Sequence, residues 1–233
     1  MNLAVIPARS GSKRIRDKNV IDFCGKPMIS YPLAAAQESG LFDTIHVSTD
    51  SEKYADVVRG LGFDFDFLRD GSVSGDDVGI IDVLRWVVRQ YRDRGKNFET
   101  VCLIYATAAL IEAKDIQCGY DIFVHHKRQT PVLSVTTFSA PVQRAMKAGS
   151  DGILEPVLPE NWERHSQTLE TAYHDAGAFF FIDAERLAND EAKTYNRVLP
   201  CIIPRNHAVD IDEPEDLALA EQLCRGRLSM GGA

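Results

Sequence analysis

Short apolar runs alternate with amphipathic stretches along the chain. Residues 3–6 (Leu-Ala-Val-Ile) form an apolar run closed by Pro7, the pattern of a strand buried on both faces of a parallel sheet. Residues 43–49, 100–105, 131–137, 178–182 and 199–203 predict five further strands. Helical patterns stand between them. Residues 28–39 read as a helix stopped by Gly40; Pro32 sits awkwardly inside, so either the regular helix starts near Tyr31 or its first turn is distorted. Ser51 predicts the N-cap of a helix over 54–61. Val78, Ile81, Leu84, Val87, Val88 and Tyr91 recur at three- and four-residue spacing, predicting another. Residues 114–126 and 213–224 read as two more, the last with Pro214 in its first turn. Residues 63–68 alternate Phe-Asp-Phe-Asp-Phe, which predicts an exposed or edge strand. The sum is an α/β fold, Rossmann-like, with a mainly parallel sheet and helices on both faces.

From 138 to 171 the pattern loosens into prolines, a Gly149-Ser150-Asp151-Gly152 turn and short apolar pieces. The chain of 233 residues therefore reads as one domain, 1–233, with 138–171 as an insertion. No run approaches eighteen apolar residues, so no membrane span is expected. No signal-peptide pattern opens the sequence, and the five cysteines are widely spaced and odd in number. They read as free thiols of a cytoplasmic protein. The net charge of −8 argues against nucleic-acid binding.

The charge is unevenly placed. Between Arg9 and Lys18 stand five basic residues and one acid, directly after the first strand. Ser10, Gly11 and Ser12 are small enough for backbone N–H groups to approach phosphate oxygens, while Arg9, Lys13 and Lys18 supply charge. Ligands of open α/β sheets sit outside the carboxyl ends of the strands, where this loop must be. The loop is neither a P-loop, since Gly25-Lys26 is followed by Pro27, nor a dinucleotide-binding G-x-G-x-x-G. Near the other end, Asp210 and Asp212 project from one face of an extended segment, a spacing that suits Mg²⁺. An acidic turn at a helix N-terminus is the alternative. His174 and Asp175 precede a very apolar strand, as at a pocket mouth or an ordinary strand entry. His174 is better read as a hydrogen-bonding group than as a general base or metal ligand.

Ala8-Arg9-Ser10-Gly11-Ser12-Lys13-Arg14, Lys18-Asn19 and Gly25-Lys26-Pro27-Met28-Ile29 resemble the opening of the CMP-sugar synthetases, cytidylyltransferases of cell-surface glycan biosynthesis. The resemblance runs from Leu3 to Leu223 and includes Ser48-Thr49-Asp50 and the D-x-D. Three narrower stretches resemble the pseudaminic acid branch: Tyr105-Ala106-Thr107-Ala108, Ser134 to Phe138 with Pro141 to Ala145, and Ala172-Tyr173-His174-Asp175-Ala176-Gly177. It implies a nucleotide-diphospho-sugar transferase type of fold and the reaction of CTP with a nine-carbon ulosonic acid; N-acetylneuraminic or legionaminic acid is the alternative sugar. Ala8, Arg9, Ser10, Gly11, Ser12 and Lys13 would hold the triphosphate, Lys18 the α-phosphate and Asn19 the nucleotide. Arg69, Asp76 and Asp77 would read cytosine and ribose, although the two aspartates could simply cap a helix. Gln167, Tyr173, His174 and Asp175 would meet the sugar. Mg²⁺, with Mn²⁺ as a substitute, would sit on Asp210 and Asp212; the catalytic set would be Arg9, Lys18 and those two aspartates. The insertion would protrude, contact a second copy in a homodimer and complete its sugar pocket.

The sequence departs from the family pattern at four places: Ser10 for Gly, Ala109 for Pro, and Ala178 and Phe181 where Gln and Trp are common. The last two are expected near the sugar. Two other classes are weighed: a NAD-dependent dehydrogenase, disfavoured by the missing glycine fingerprint, and a non-catalytic nucleotide-binding relative, disfavoured by Lys18, Asp210 and Asp212 standing together.

Overall fold

The computed structural model describes residues 1–75, 77–189 and 197–230. Its centre is a six-stranded sheet formed by β1 (Asn2–Pro7), β4 (Thr44–Ser48), β5 (Thr100–Ile104), β6 (Val132–Thr137), β9 (Tyr173–Asp183) and β10 (Leu199–Ile202), in the order β10-β6-β9-β5-β1-β4. Two small two-stranded pieces complete the strand set: β2 (Asp22–Phe23) with β3 (Lys26–Pro27), and β7 (Met146–Ala148) with β8 (Leu154–Pro156). Five of the six central strands run parallel; β9 alone is antiparallel, wedged between β5 and β6. The carboxyl ends of the five parallel strands therefore open on one edge, where their loops can share a ligand.

Residue parity along the strands sets the two cores. Ala4 and Ile6 of β1, Cys102 and Ile104 of β5, and Phe179 and Phe181 of β9 pack against Leu33, Tyr54, Ile116 and Phe123. Those partners come from α1 (Ser30–Glu38), α2 (Glu52–Gly60) and α4 (Ala113–His125). Leu3, Val5, Val101, Leu103, Phe180 and Ile182 point the other way, onto Leu84, Val87, Val88 and Tyr91 of α3 (Ile80–Asp93) and Leu187 of α5 (Ala184–Ala188). A third cluster, with Ile15, Phe23, Met28, Ile211, Ala220 and Cys224, ties the basic loop to α6 (Pro214–Met230).

Pro32 is the third residue of α1, in the first turn, where no N–H is needed for the helical ladder. Gly40 takes φ +67 just past its end. Ser51 occupies the N-cap position of α2, but its side chain makes no capping bond. Residues 63–68 are not a strand. Exposure alternates along them, as the sequence pattern demands, but they pair with no ladder; Phe67 instead packs on His46, Trp86 and Tyr91. The ninth strand begins at Tyr173, five residues before the apolar run, because its polar start pairs with the end of β6. Residues 138–171 hold the β7–β8 hairpin, closed by the expected turn: Gly149 N donates to Ile153 O at 2.9 Å. No helix among the described residues is long and apolar enough to cross a membrane.

Candidate active site

The basic loop leaves β1 with Ala8 N donating to Ser48 O at 2.8 Å. Asn19, nearly buried, donates from Nδ2 to Arg9 O at 3.0 Å and folds the loop back on itself. Asp17 is held at φ 53, the left-handed region. Lys53 Nζ (2.8 Å) and Tyr54 OH (3.1 Å) both donate to its carboxylate, anchoring the loop on α2. The next residue, Lys18, projects across to the far side: Nζ donates to Ile211 O at 2.6 Å and to Asp212 Oδ1 at 2.9 Å. Arg14 follows the same direction, with Nη2 2.8 Å from Asp212 Oδ2 and Nη1 3.0 Å from Glu213 Oε1.

Between these groups lies a cleft of about 690 Å³, lined by Arg9, Ser12, Lys13, Arg14, Lys18, Asn19, Arg69, Tyr105, Thr107, Asp210 and Asp212 among others. Arg69 is buried and fixed to the end of β4, donating from Nε to Ser48 Oγ (3.0 Å) and from Nη2 to Ser48 O (2.6 Å). Burial pushes its guanidinium below its usual range, while Asp50 acts the other way. A second pocket of about 460 Å³ lies alongside, walled by Thr136, Thr137 and Ser139 at the end of β6, by His174, and by Arg205, Asn206 and α6. Asp210 lines both spaces.

The two aspartates sit on an extended segment between a 3-10 turn (Arg205–His207) and α6. Ile211 between them is fully buried and anchors the segment. The alternation still aims both carboxylates into the cleft, in different settings. Asp212 is drawn below the carboxylate range, first by its hydrogen bond from Lys18 and also by Arg14. Asp210 is pushed up, chiefly by burial and then by Asp212. Gly177, at φ +60, makes room for it: a Cβ there would stand 3.1 Å from Asp210 Cγ. Two hard oxygen donors, one of them poorly compensated, fit a Mg²⁺ ion completed by phosphate oxygens and water. No group of three or more histidine, cysteine, aspartate or glutamate side chains that could hold a metal ion occurs among the described residues.

Of the residues singled out in the sequence, Arg9, Ser12, Lys13, Lys18, Asn19, Arg69, Asp210 and Asp212 converge on the cleft, and His174 on the adjoining pocket. Ser10 and Gly11 are exposed beside the cleft, and Ser10 N donates to Asp50 Oδ1 at 3.0 Å. Ala8 is buried at the strand end. Asp77 is exposed and lines neither space; Asp76 lies outside the described residues. Gln167 and Tyr173 are exposed and line neither space. Asp175 turns its Oδ1 to Gly177 N at 2.8 Å. Ala178 and Phe181 line neither space: both are buried, with Phe181 packed among Phe42, Phe123 and Tyr120 in the core. Sequence reasoning gave no role to Arg14, Asp17, Asp50, Tyr54 or the Ile211 carbonyl. Of these, Arg14, in the basic run, and Asp50, at the end of the Ser-Thr-Asp run, carried a signal.

Comparison with known proteins fits this geometry. The structure superposes on a CMP:2-keto-3-deoxy-manno-octonic acid synthetase solved with CTP, with a TM-score of 0.71 over 97% of this chain and 99% of the other. At 16% identity that likeness speaks for the fold alone. A pseudaminic acid cytidylyltransferase of Campylobacter jejuni is 34% identical over 95% of both chains. A CMP-N,N'-diacetyllegionaminic acid synthase of Legionella pneumophila is 28% identical, again over 95% of both. An N-acylneuraminate cytidylyltransferase of Escherichia coli is 26% identical over 94% of this chain and 51% of that protein. A family profile described as Cytidylyltransferase matches residues 3–230, and the chain belongs to that family.

Proposed function

We propose that the protein converts CTP and pseudaminic acid to CMP-pseudaminic acid and pyrophosphate. The observation that carries this reading is the pair of adjoining spaces that share Asp210, one facing the cationic loop and the other lined by Thr136, Thr137, Ser139, His174, Arg205 and Asp216 among others. A triphosphate fits the first and a polyhydroxy acid the second. The likeness to the Campylobacter jejuni protein supports the choice of sugar.

The C2 hydroxyl of the sugar attacks the α-phosphorus in line. The new O–P bond forms as the bond to the bridging oxygen breaks, and pyrophosphate leaves with that oxygen. Positioning and charge neutralisation supply most of the acceleration. Arg9, Ser12 and Lys13 hold the triphosphate, and Lys18 moves part of its contact from Asp212 and Ile211 O to the α-phosphate. Arg69 and the loop after it wall the nucleoside. Asp210 and Asp212 would hold Mg²⁺, which when bound neutralises charge on the phosphate oxygens. Asp210, on the border between the spaces, stands where the hydroxyl must approach. A second copy of the chain covers the exposed apolar side chains of residues 138–171.

The deciding experiment is pyrophosphate release from CTP with a panel of nine-carbon acids. The expected result is turnover dependent on the sugar, with the highest kcat/KM for pseudaminic acid. A clear preference for N-acetylneuraminic acid would overturn the sugar assignment, and equal turnover with UTP would overturn the nucleotide assignment.

A further inference from the structure

We propose that Arg205 binds the carboxylate of the sugar and thereby sets the attacking hydroxyl beside Asp210, an inference that rests on the reading of the protein as a CMP-sugar synthetase. Among the described residues lining the second pocket, Arg205 is the one lysine or arginine. Among the described residues its guanidinium has no hydrogen-bond or ion-pair partner, whereas Arg14, Arg59, Arg69, Arg128 and Arg227 are each tied to neighbouring groups. An unpartnered guanidinium facing a pocket is a fork of donors that matches a carboxylate bidentately.

The backbone that carries it is held firmly on the other side. His207 Nδ1 lies 2.6 Å from Asp115 Oδ2, both side chains buried. Arg227 Nη2 donates to Asn206 O at 2.6 Å, and its Nη1 to Leu110 O at 2.7 Å. The turn Arg205–His207 is thus clamped between α4 and α6 at its second and third residues, and its first is left to face the pocket.

Two acids share the pocket, and neither satisfies Arg205. Asp216 spends its Oδ2 on the backbone N–H groups of Asp212 (3.0 Å) and Glu213 (2.7 Å) at the start of α6. Asp210 faces Lys18 and the cleft. In an ulosonic acid the carboxyl carbon is bonded directly to C2, which bears the nucleophilic hydroxyl. Gripping the carboxylate at Arg205 therefore leaves C2 one bond away from the grip, in the pocket that Asp210 borders. Orientation of this kind is worth more than affinity, because it fixes the angle of attack.

The test pairs a variant with a substrate analogue. Arg205→Gln and Arg205→Lys are compared with wild type on the acid and on its C1 amide, which keeps the shape and loses the charge. Arg205→Gln is expected to raise KM for the acid about 10- to 100-fold, the range for losing a charge-assisted bond, and to lower kcat as the hydroxyl loses its orientation, with KM for CTP essentially unchanged. Arg205→Lys should fall between. Wild type should strongly prefer acid over amide, and Arg205→Gln should lose that preference. If Arg205→Gln, still folded by its melting curve, keeps both the KM and the preference, the assignment is overturned. If wild type makes no CMP-sugar from any acid, the functional reading itself fails, a result distinct from the first.

Discussion

Asp210 and Asp212 stand two residues apart and experience opposite fields. The ionised form of Asp212 is stabilised by Lys18 and Arg14, so its contribution to stability is present above the unfolded carboxylate value of 3.8 and is lost as pH falls below it. Asp210 has its value raised by burial and by its neighbour; ionisation costs stability as pH rises through 3.8 and the cost persists at neutral pH. Substituting each by Asn should therefore shift the melting temperature in opposite directions at pH 7 without metal, up for Asp210→Asn and down for Asp212→Asn. Both should lose about a thousandfold or more in turnover, the size of effect expected for part of a metal site. Calorimetry and a Mg²⁺ titration of turnover check this; retention of more than about a tenth of the rate in both variants would remove the pair from the metal site. The pair itself was legible because its i, i+2 spacing is local. The resemblance placed Lys18 in one set with the pair, but its direct contact with Asp212, and that of Arg14, were not legible: both lie nearly two hundred residues away, and the Ile211 carbonyl that receives Lys18 would be there whatever side chain stood at 211.

At the scale of elements, strands and helices were readable wherever burial on one or two faces imposes a period. Residues 63–68 show the limit. Alternation reports which side chains face the core, but a strand also needs a partner edge; instead Phe67 lies over α3, while Phe63 packs against the cluster on the other face of the sheet. That packing creates a buried polar site. Tyr91 OH donates to Asp66 and lies 3.1 Å from His46 Nδ1, and His46 stacks on Phe67 with centroids 4.5 Å apart. Burial pulls the His46 value down from 6.5 to about 3. The unfolded chain therefore takes up a proton below 6.5 that the folded chain refuses, so stability is level above that pH and declines below it. His46→Phe keeps the stacking and removes the titration. Its melting temperature should fall less steeply than wild type between about pH 6.5 and 4.5. Parallel slopes would show that the ring does not carry this dependence.

Across the whole molecule, exposed apolar side chains concentrate on the insertion and its base. Ile153, Leu154, Val157 and Trp162 are 61, 58, 50 and 43% exposed, and Phe138 and Tyr173 are 40 and 42% exposed. Such a patch on a water-facing arm marks an interface. The expected state is a homodimer at micromolar concentration by light scattering. Leu154→Asp with Trp162→Glu should give a monomer that keeps its melting transition, because neither side chain contributes to the described cores. A wild-type monomer with full activity would overturn the claim that a second copy completes the site.

The arm is attached in an unusual place. It leaves at the end of β6 and returns at the start of β9, and these two strands are hydrogen-bonded neighbours whose register brings Thr137 opposite Tyr173. Phe138 N even donates to Ala172 O, at 3.4 Å. The stem is therefore already closed, as in a hairpin, and the length of what hangs from it hardly alters the entropy of joining the strands. Evolution could lengthen, shorten or exchange this cassette without touching the phosphate loop. Nucleotide chemistry and partner geometry are thus free to vary as separate inheritances within one chain.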